Sequence, residues 1–434
     1  MTGAMYAAIA GLKTHMQNLN VIGNNIANVN TYGYKASRAV FKTQLYTTLT
    51  GGSNGTAIMG GTNPSQIGYG SSVANVDVDV SSGNYAVTGV PTDMMLDGDG
   101  FFLVGTKDLA GNFDGSSDDI NRLTSLTLTR VGDFQFRADG YLGKNDGNCV
   151  YGFLCIGLVT EDNIATYGPM GMKVGDPIFS DQLVPIRYPR MQAAHYYKKD
   201  DTTDSGYEEE TVQDPNDATK QITRPKEYTL EDNFDDLFDP ETGELNDEYA
   251  AVGYKIAYPE IGEDGYLQDA GYSNAMKDSV LEQARFTGIS IDPNTGIITA
   301  TNDDTKEIVT IGCIAIGKVT NPNGVTNIGS NYYKAGAGSG KMSIGISGGN
   351  AEAMGITQVN KSLQALRGED QTIAALAAYA TETHIISNGL EMSKTDLAQE
   401  ISQMILTQRG YQANTRIITV TDSMLEELVN MKRG

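Results

Sequence analysis

The chain has 434 residues, with 54 Asp and Glu against 31 Lys and Arg, and a formal net charge of −23. That length predicts about three domains at roughly 150 residues each, and the acidity argues against nucleic-acid binding, which calls for a basic face. Three cysteines (Cys149, Cys155, Cys313) and three scattered histidines (His15, His195, His384) supply neither a disulfide framework nor a zinc site.

The first twelve residues lack a basic start, and Lys13, His15, Gln17 and Asn18 interrupt any apolar core, so no cleaved secretory signal is expected. On that ground alone the chain reads as cytoplasmic. No apolar run approaches the ~20 residues that span a bilayer, so no membrane insertion is expected. All twelve prolines lie between Pro64 and Pro322, which leaves both ends free of the strongest helix breaker.

In the N-terminal segment Met5, Ile9, Leu12, Met16, Leu19, Ile22, Ile26 and Val29 recur at steps of three and four. Their mean spacing of about 3.4 residues predicts a coiled-coil-like helix stripe, with Gly33 as its C-cap. The segment 1–76 carries four bases and no acid. A Gly-rich stretch, 51–63, reads as a link, with Gly51, Gly52 and Gly55 as its hinge. Val73 to Val80, Leu126 to Thr129 and Asp133 to Arg137 then alternate with a period of two, predicting strands. Asp139-Gly140, Asp239 to Gly243 and Asp292 to Gly296 carry turn chemistry. Residues 198–278 hold 23 acids and 7 bases, which predicts a solvated, self-repelling insert. A second Gly-rich stretch, Gly336 to Gly349, leads into a helix-like segment, Ala351 to Ser387. Finally Leu390, Leu397, Met404, Tyr411, Ile418 and Leu425 repeat every seven residues, with Ile401 and Val429 in the second seam position. That interrupted seam suits a helix with several neighbours. Periodicity leaves two readings open: the ends fold against other copies, or they form an ordinary intramolecular hairpin.

The expected fold is therefore multidomain α plus β. Residues 1–50 and 351–434 form a terminal helical domain from both chain ends, 64–190 and 284–350 a β-rich middle domain, and 191–283 an acidic β-rich insert.

Chemical motifs fail on inspection. Lys334 to Ser343 imitates a phosphate loop, but Ala335 stands where Gly is required and Met342 where the Mg²⁺-binding hydroxyl belongs. Asp97-Gly98-Asp99-Gly100 does not continue into a calcium loop. His15 and His384, read as helical, have no partner at ligand spacing. The expectation is no enzyme, with no catalytic residue, cofactor or metal.

Asn24-Asn25-Ile26-Ala27-Asn28-Val29-Asn30-Thr31-Tyr32-Gly33-Tyr34-Lys35 resembles the N-terminal signature of the bacterial flagellar rod and hook family. Gly389 to Ser393, Asp396-Leu397-Ala398 and Gln408-Arg409-Gly410-Tyr411-Gln412-Ala413-Asn414 resemble its closing signature. The motif residues carried over are Asn24, Asn25, Asn28, Thr31, Gly33, Lys35, Gln408, Arg409, Tyr411, Gln412 and Asn414. Gly61 to Gly68, Pro91 to Asp93, Asp97 to Phe102, Thr129 to Phe134 and Thr320 to Gly324 are similar to the hook members in particular, and the length fits them better than rod members. Lys394-Thr395 and Tyr34 depart from the usual pattern.

The resemblance implies a homopolymer: a self-assembling subunit of the curved, flexible hook that passes torque from the motor rod to the filament. It implies terminal helices lining an inner tube, Gly-rich links acting as hinges, and an extracellular place in the flagellum reached without a cleaved signal. The partners implied are the distal rod, hook cap and hook–filament junction proteins and the type III export apparatus, with no nucleic acid or membrane. Two competing readings are a distal rod subunit and, in another class, an acidic secreted adhesin or calcium-binding surface protein.

Overall fold

The computed structural model describes residues 2–55, 60–107, 126–161, 164–167, 172–180, 183–200, 206–214, 217–228, 237, 245–261, 267–269, 282–283, 286–303, 306–340, 342–348 and 383–431. It divides into two compact units. One gathers residues 1–86, 321–323 and 391–434, and the other holds 87–320 and 324–390.

The first unit is built from the two chain ends. Helix α1 spans Thr2–Ala27 and helix α2 spans Leu397–Met431. Absence of proline permits both lengths, and Asp396 starts α2 by accepting the Ala398 and Gln399 amides at 3.0 and 3.2 Å, an N-cap that satisfies otherwise orphaned donors. Asn28 ends α1, its side-chain amide donating to Asn24 O at 2.9 Å. Strands β1 (Ser37–Thr43) and β4 (Ser71–Val78) pair antiparallel, from Ser37↔Val78 to Thr43↔Ser71, with a bulge between Val40 and Phe41. Between them β2 (Tyr46–Thr50) and β3 (Ser65–Gly68) make a hairpin, closed further out by a Ser53–Thr62 bridge. Helix α1 packs on β1 and β4 as well as on α2.

Several expectations are corrected here. The terminal domain is not helical throughout 1–50, because 37–50 form strands, where β-branched and aromatic side chains favour extended backbone. Gly33, at φ +65°, stands six residues beyond the end of α1 and is not its C-cap. The described residues of the Gly-rich stretch, 51–55 and 60–63, lie at the far end of the β2–β3 hairpin inside one unit. Gly51, Gly52 and Gly55 are thus tip residues, and the chain leaves this unit after Ala86. Val29 falls past α1, and Leu390 lies in a strand, Gly389–Glu391, ahead of α2. Of the helix-like segment 351–387, residues 351–382 lie outside the described residues, and His384–Ser387 is a strand, so His384 is not helical.

The second unit is β-rich, as the alternating segments predict. Its long strands Cys149–Leu158 and Ile308–Val319 pair antiparallel through Phe153↔Cys313, and Phe101–Gly105 pairs with both. Their inward side chains, with Met94, Leu96, Phe134, Ile186, Ile298 and Ile385, form one buried core. Arg130 is buried there because its guanidinium donates to Leu96 O and Gly98 O, at 3.3 and 2.8 Å, and lies over the Phe101 ring. All three cysteines are buried and free; burial pushes the Cys155 thiol up to about 12. The Asp292 to Gly296 turn forms as expected, Asp292 accepting the Asn294 amide at 3.0 Å. The Asp239 to Gly243 turn lies outside the described residues. Within the acidic insert, Arg190–Lys198 pairs antiparallel with Tyr249–Ala257, and Glu209–Asp214 with Asp217–Pro225.

Candidate functional site

Helices α1 and α2 run antiparallel in a single register, and what they bury against each other is small or polar. Gly11 faces Asn414: a Cβ at Gly11 would stand 2.7 Å from the Asn414 amide nitrogen. Gly410 faces His15 equally tightly, a Cβ there meeting the imidazole at 2.7 Å. One turn on, Asn18 Nδ2 donates to Thr407 Oγ1 at 2.9 Å, and about two turns further Asn25 Nδ2 donates to Glu400 Oε1 at 3.0 Å. Ala8, Thr14 and Ile22 complete the buried side of α1, and Thr407 and Thr421 are buried on α2. Polar groups placed this way specify register, since a shift would strand them without partners.

The apolar stripes take the opposite position. On α1 Met5, Ile9 and Met16 are exposed, Leu12, Leu19 and Ile26 are half-buried, and only Ile22 is buried, on the polar seam. On α2 Leu397, Ile401, Tyr411, Leu425 and Val429 are exposed, with Met404 and Ile418 half-buried. Sequence periodicity missed further exposed apolar residues: Tyr6 on α1, and Ile405, Leu406, Ile417, Val420, Met424 and Leu428 on α2. The expected apolar seam therefore does not join the two helices. A contiguous apolar surface on a soluble chain marks an interaction face.

The motif residues gather at the base of the pair. Asn25 is 1% exposed, and its amide is fully employed. Its Nδ2 donates to Ser37 O at 2.7 Å and to Glu400, while its Oδ1 accepts from Ser37 N at 2.9 Å and Tyr34 OH at 3.0 Å. Asn24 Nδ2 donates to Tyr34 OH at 3.1 Å, and Thr31 Oγ1 to Asn28 Oδ1 at 3.1 Å. Lys35, also buried, donates to Glu391 Oε1 at 2.5 Å and to Ser81 O at 2.8 Å. Glu391 also accepts from Gly83 N at 2.6 Å, and its carbonyl from Gly33 N at 2.7 Å. This pair ties the segment after α1 to the segment before α2. Tyr34, a departure from the family pattern, thus uses its hydroxyl. Lys394, the other, donates to Ser82 O at 3.1 Å. Gln408, Arg409 and Gln412 are exposed on α2, whereas Asn414 meets Gly11.

Beside this base lies a groove of about 530 Å³, walled by α1, β1, β4 and the start of α2. Glu400 is on its wall, and its carboxyl is held above the usual carboxylate range, chiefly by burial, with Asp396 adding and the Asn25 hydrogen bond opposing. Burial, and then the Glu400 charge, push the Tyr34 hydroxyl up as well. Among the described residues no group of three or more His, Cys, Asp or Glu could hold a metal ion. No described helix is long and apolar enough to cross a membrane. The signal for this seam was legible in principle, as Glu400, Thr407, Asn414 and Thr421 also repeat every seven residues.

Residues 5–35 match the family model described as flagella basal body rod protein, and residues 386–431 match that of the flagellar basal body rod FlgEFG protein C-terminal. The chain is 26% identical over 433 residues to the flagellar basal-body rod protein FlgG of Bacillus subtilis, covering all of both chains. It is 26% identical over 489 residues to the flagellar hook protein FlgE of Borreliella burgdorferi, again covering both completely. The hook protein FlgE of Treponema pallidum is 23% identical over 485 residues, with the same full coverage. A crystal structure of the Helicobacter pylori hook protein FlgE2 aligns at a TM-score of 0.27 and 13% identity, covering 62% of this chain and 97% of that one.

Proposed function

The chain belongs to the flagellar rod and hook family, and from that premise we propose that it is the hook subunit, a self-assembling piece of the curved joint between motor rod and filament. As a family member it is a structural subunit of the flagellar axis, part of the extracellular flagellum, and assembles with other flagellar components. The observation that carries the proposal is the inverted helix pair: polar residues are spent within the chain, and apolar stripes are left for neighbours. Burying apolar surface yields roughly 25 cal/mol per Å², so stacking copies stabilises what one copy leaves wet. The tails then become fully rigid only in the polymer.

Hook is favoured over rod by the internal segments that resemble hook members and by the full-length relatives named as hook proteins. Length does not separate the two, since a relative named as a rod protein aligns along the whole chain. The neighbours proposed are the distal rod, the hook cap and the hook–filament junction proteins. Delivery is proposed through the type III export apparatus, without a cleaved signal.

Electron microscopy of purified chain under polymerising conditions tests the reading. Curved hollow tubes support a hook, straight rigid tubes support a rod subunit, and no polymer overturns both. Calcium-dependent melting of the acidic insert would instead favour the adhesin class.

A further inference from the structure

Glu400 is placed unlike any other carboxylate of the helix pair. It sits at the first turn of α2, and its Oε1 accepts from Asn25 Nδ2 at 3.0 Å. Its Oε2 is buried with no hydrogen-bond partner among the described residues. A buried carboxylate oxygen without a donor costs free energy when charged and much less when the group is neutral.

The surroundings do not supply the missing cation. From the segment before α2, Asp396 stands one turn away, and Glu400 N donates to Asp396 O at 2.9 Å. Lys394, on the same segment, is engaged with Ser82 O. From the turn after α1, Tyr34 spends its hydroxyl on Asn25. Across the groove β1 contributes Arg38, whose side chain is 78% exposed and turned to Asp77 at 3.8 Å, β4 contributes Asp77, and Asp79 follows just beyond β4. Helix α1 presents the uncharged Asn18 and Asn25, and Lys35 is committed to Glu391. Carboxylates outnumber cations around the group.

We propose that Glu400 is a proton-sensitive lock on the α1–α2 seam: its neutral carboxyl closes the pair, and its ionisation loosens it. The direction follows from linkage. Burial and Asp396 raise the carboxyl above its ordinary value of 4.5. The folded pair therefore binds a proton that the open chain releases, and stability falls as pH rises from that ordinary value through the raised one. Above the raised value the full penalty persists. Mild acid thus favours closed tails and neutral pH favours open ones, so one ionisation biases the ends between a closed chain and one free to engage neighbours.

The readout is helix ellipticity at 222 nm in dilute full-length chain, to which α1 and α2, 26 and 35 residues long, contribute the longest helices among the described residues. It concerns single chains, so it stands or falls separately from the hook reading. The melting midpoint of the helices is expected to be lower at pH 8 than at pH 5. In Glu400→Gln, which keeps the acceptor for Asn25 and adds no charge, the step is expected to vanish, with the pH 8 midpoint rising to the wild-type pH 5 value. Asp396→Asn, which retains a capping side chain, is expected to shrink the step. A wild-type midpoint with no step, or a Glu400→Gln step as large as the wild type's, overturns the proposal.

Discussion

The two units bury opposite things. In the β-rich unit Phe102, Leu103, Val104, Ile314 and Ile316 are wholly inside, and the buried cation Arg130 has carbonyl partners. In the helical unit the buried faces carry Gly11, Thr14, Asn18, Asn25, Thr407 and Asn414, while Leu406 is 71% exposed. The first arrangement carries its stabilising term within one chain, because its strands bury a large apolar core against one another. The second is incomplete by construction. Polar contacts fix which helix meets which and in what register, but contribute only modest net stability. The contrast separates specificity from cohesion: the seam sets the pairing, and the outer stripes hold back the larger apolar term for assembly.

Substitutions can break this contrast at either end. The largest loss of chain stability is expected in the β core. Phe102→Ala removes a fully buried ring set edge-on to Phe134 at 5.1 Å, and a cost of about 3–5 kcal/mol is expected in denaturant unfolding. Next comes the buried clamp. Lys35→Met leaves Glu391 buried beside a missing charge, at a cost of about 3 kcal/mol, and calorimetry should show the helical unit melting earlier. The double change Lys35→Met with Glu391→Leu is expected to recover much of that loss.

A smaller effect is expected from Gly410→Ala. Its Cβ would sit 2.7 Å from the His15 ring, and overpacking of about 1–3 kcal/mol is offset by about 1 kcal/mol of gained helix propensity. A modest fall in the helix melting midpoint should result. The smallest effect on the lone chain belongs to Leu406→Asp, within about 0.5 kcal/mol, measured by the same melts. Its effect on polymer formation is expected to be the largest of the four, seen by sedimentation and microscopy. If Leu406→Asp assembled normally, the outward stripe would have no part in packing copies together.

Much of this was legible from residue order. The proline-free ends yielded two long helices, and the alternation at Val73 to Val78 and Thr127 to Thr129 yielded strands. The end motifs pointed to the family whose models match residues 5–35 and 386–431, and within them Asn25 and Lys35 each meet several partners. Which side of each helix turns inward was not decided by the apolar periodicity, since a polar heptad runs beside it on α2. Periodicity identifies an apolar stripe, but a stripe looks the same whether it meets its own chain or another copy. Short strands such as His384–Ser387 were missed because four residues carry too little periodic signal to compete with a neighbouring helical pattern.

Amino-acid order by itself determined the two long helices, the β-rich middle and the family resemblance, since these depend on local backbone preference and on side chains that recur at fixed spacing. Tertiary structure alone decided that Lys35 would meet Glu391, that Asn25 would meet Glu400, and that the apolar stripes would face outward. Those are contacts between residues more than 350 positions apart. Their free energies exist only once the chain has closed on itself, where steric fit at Gly11 and Gly410 and unpaired polar groups select one register.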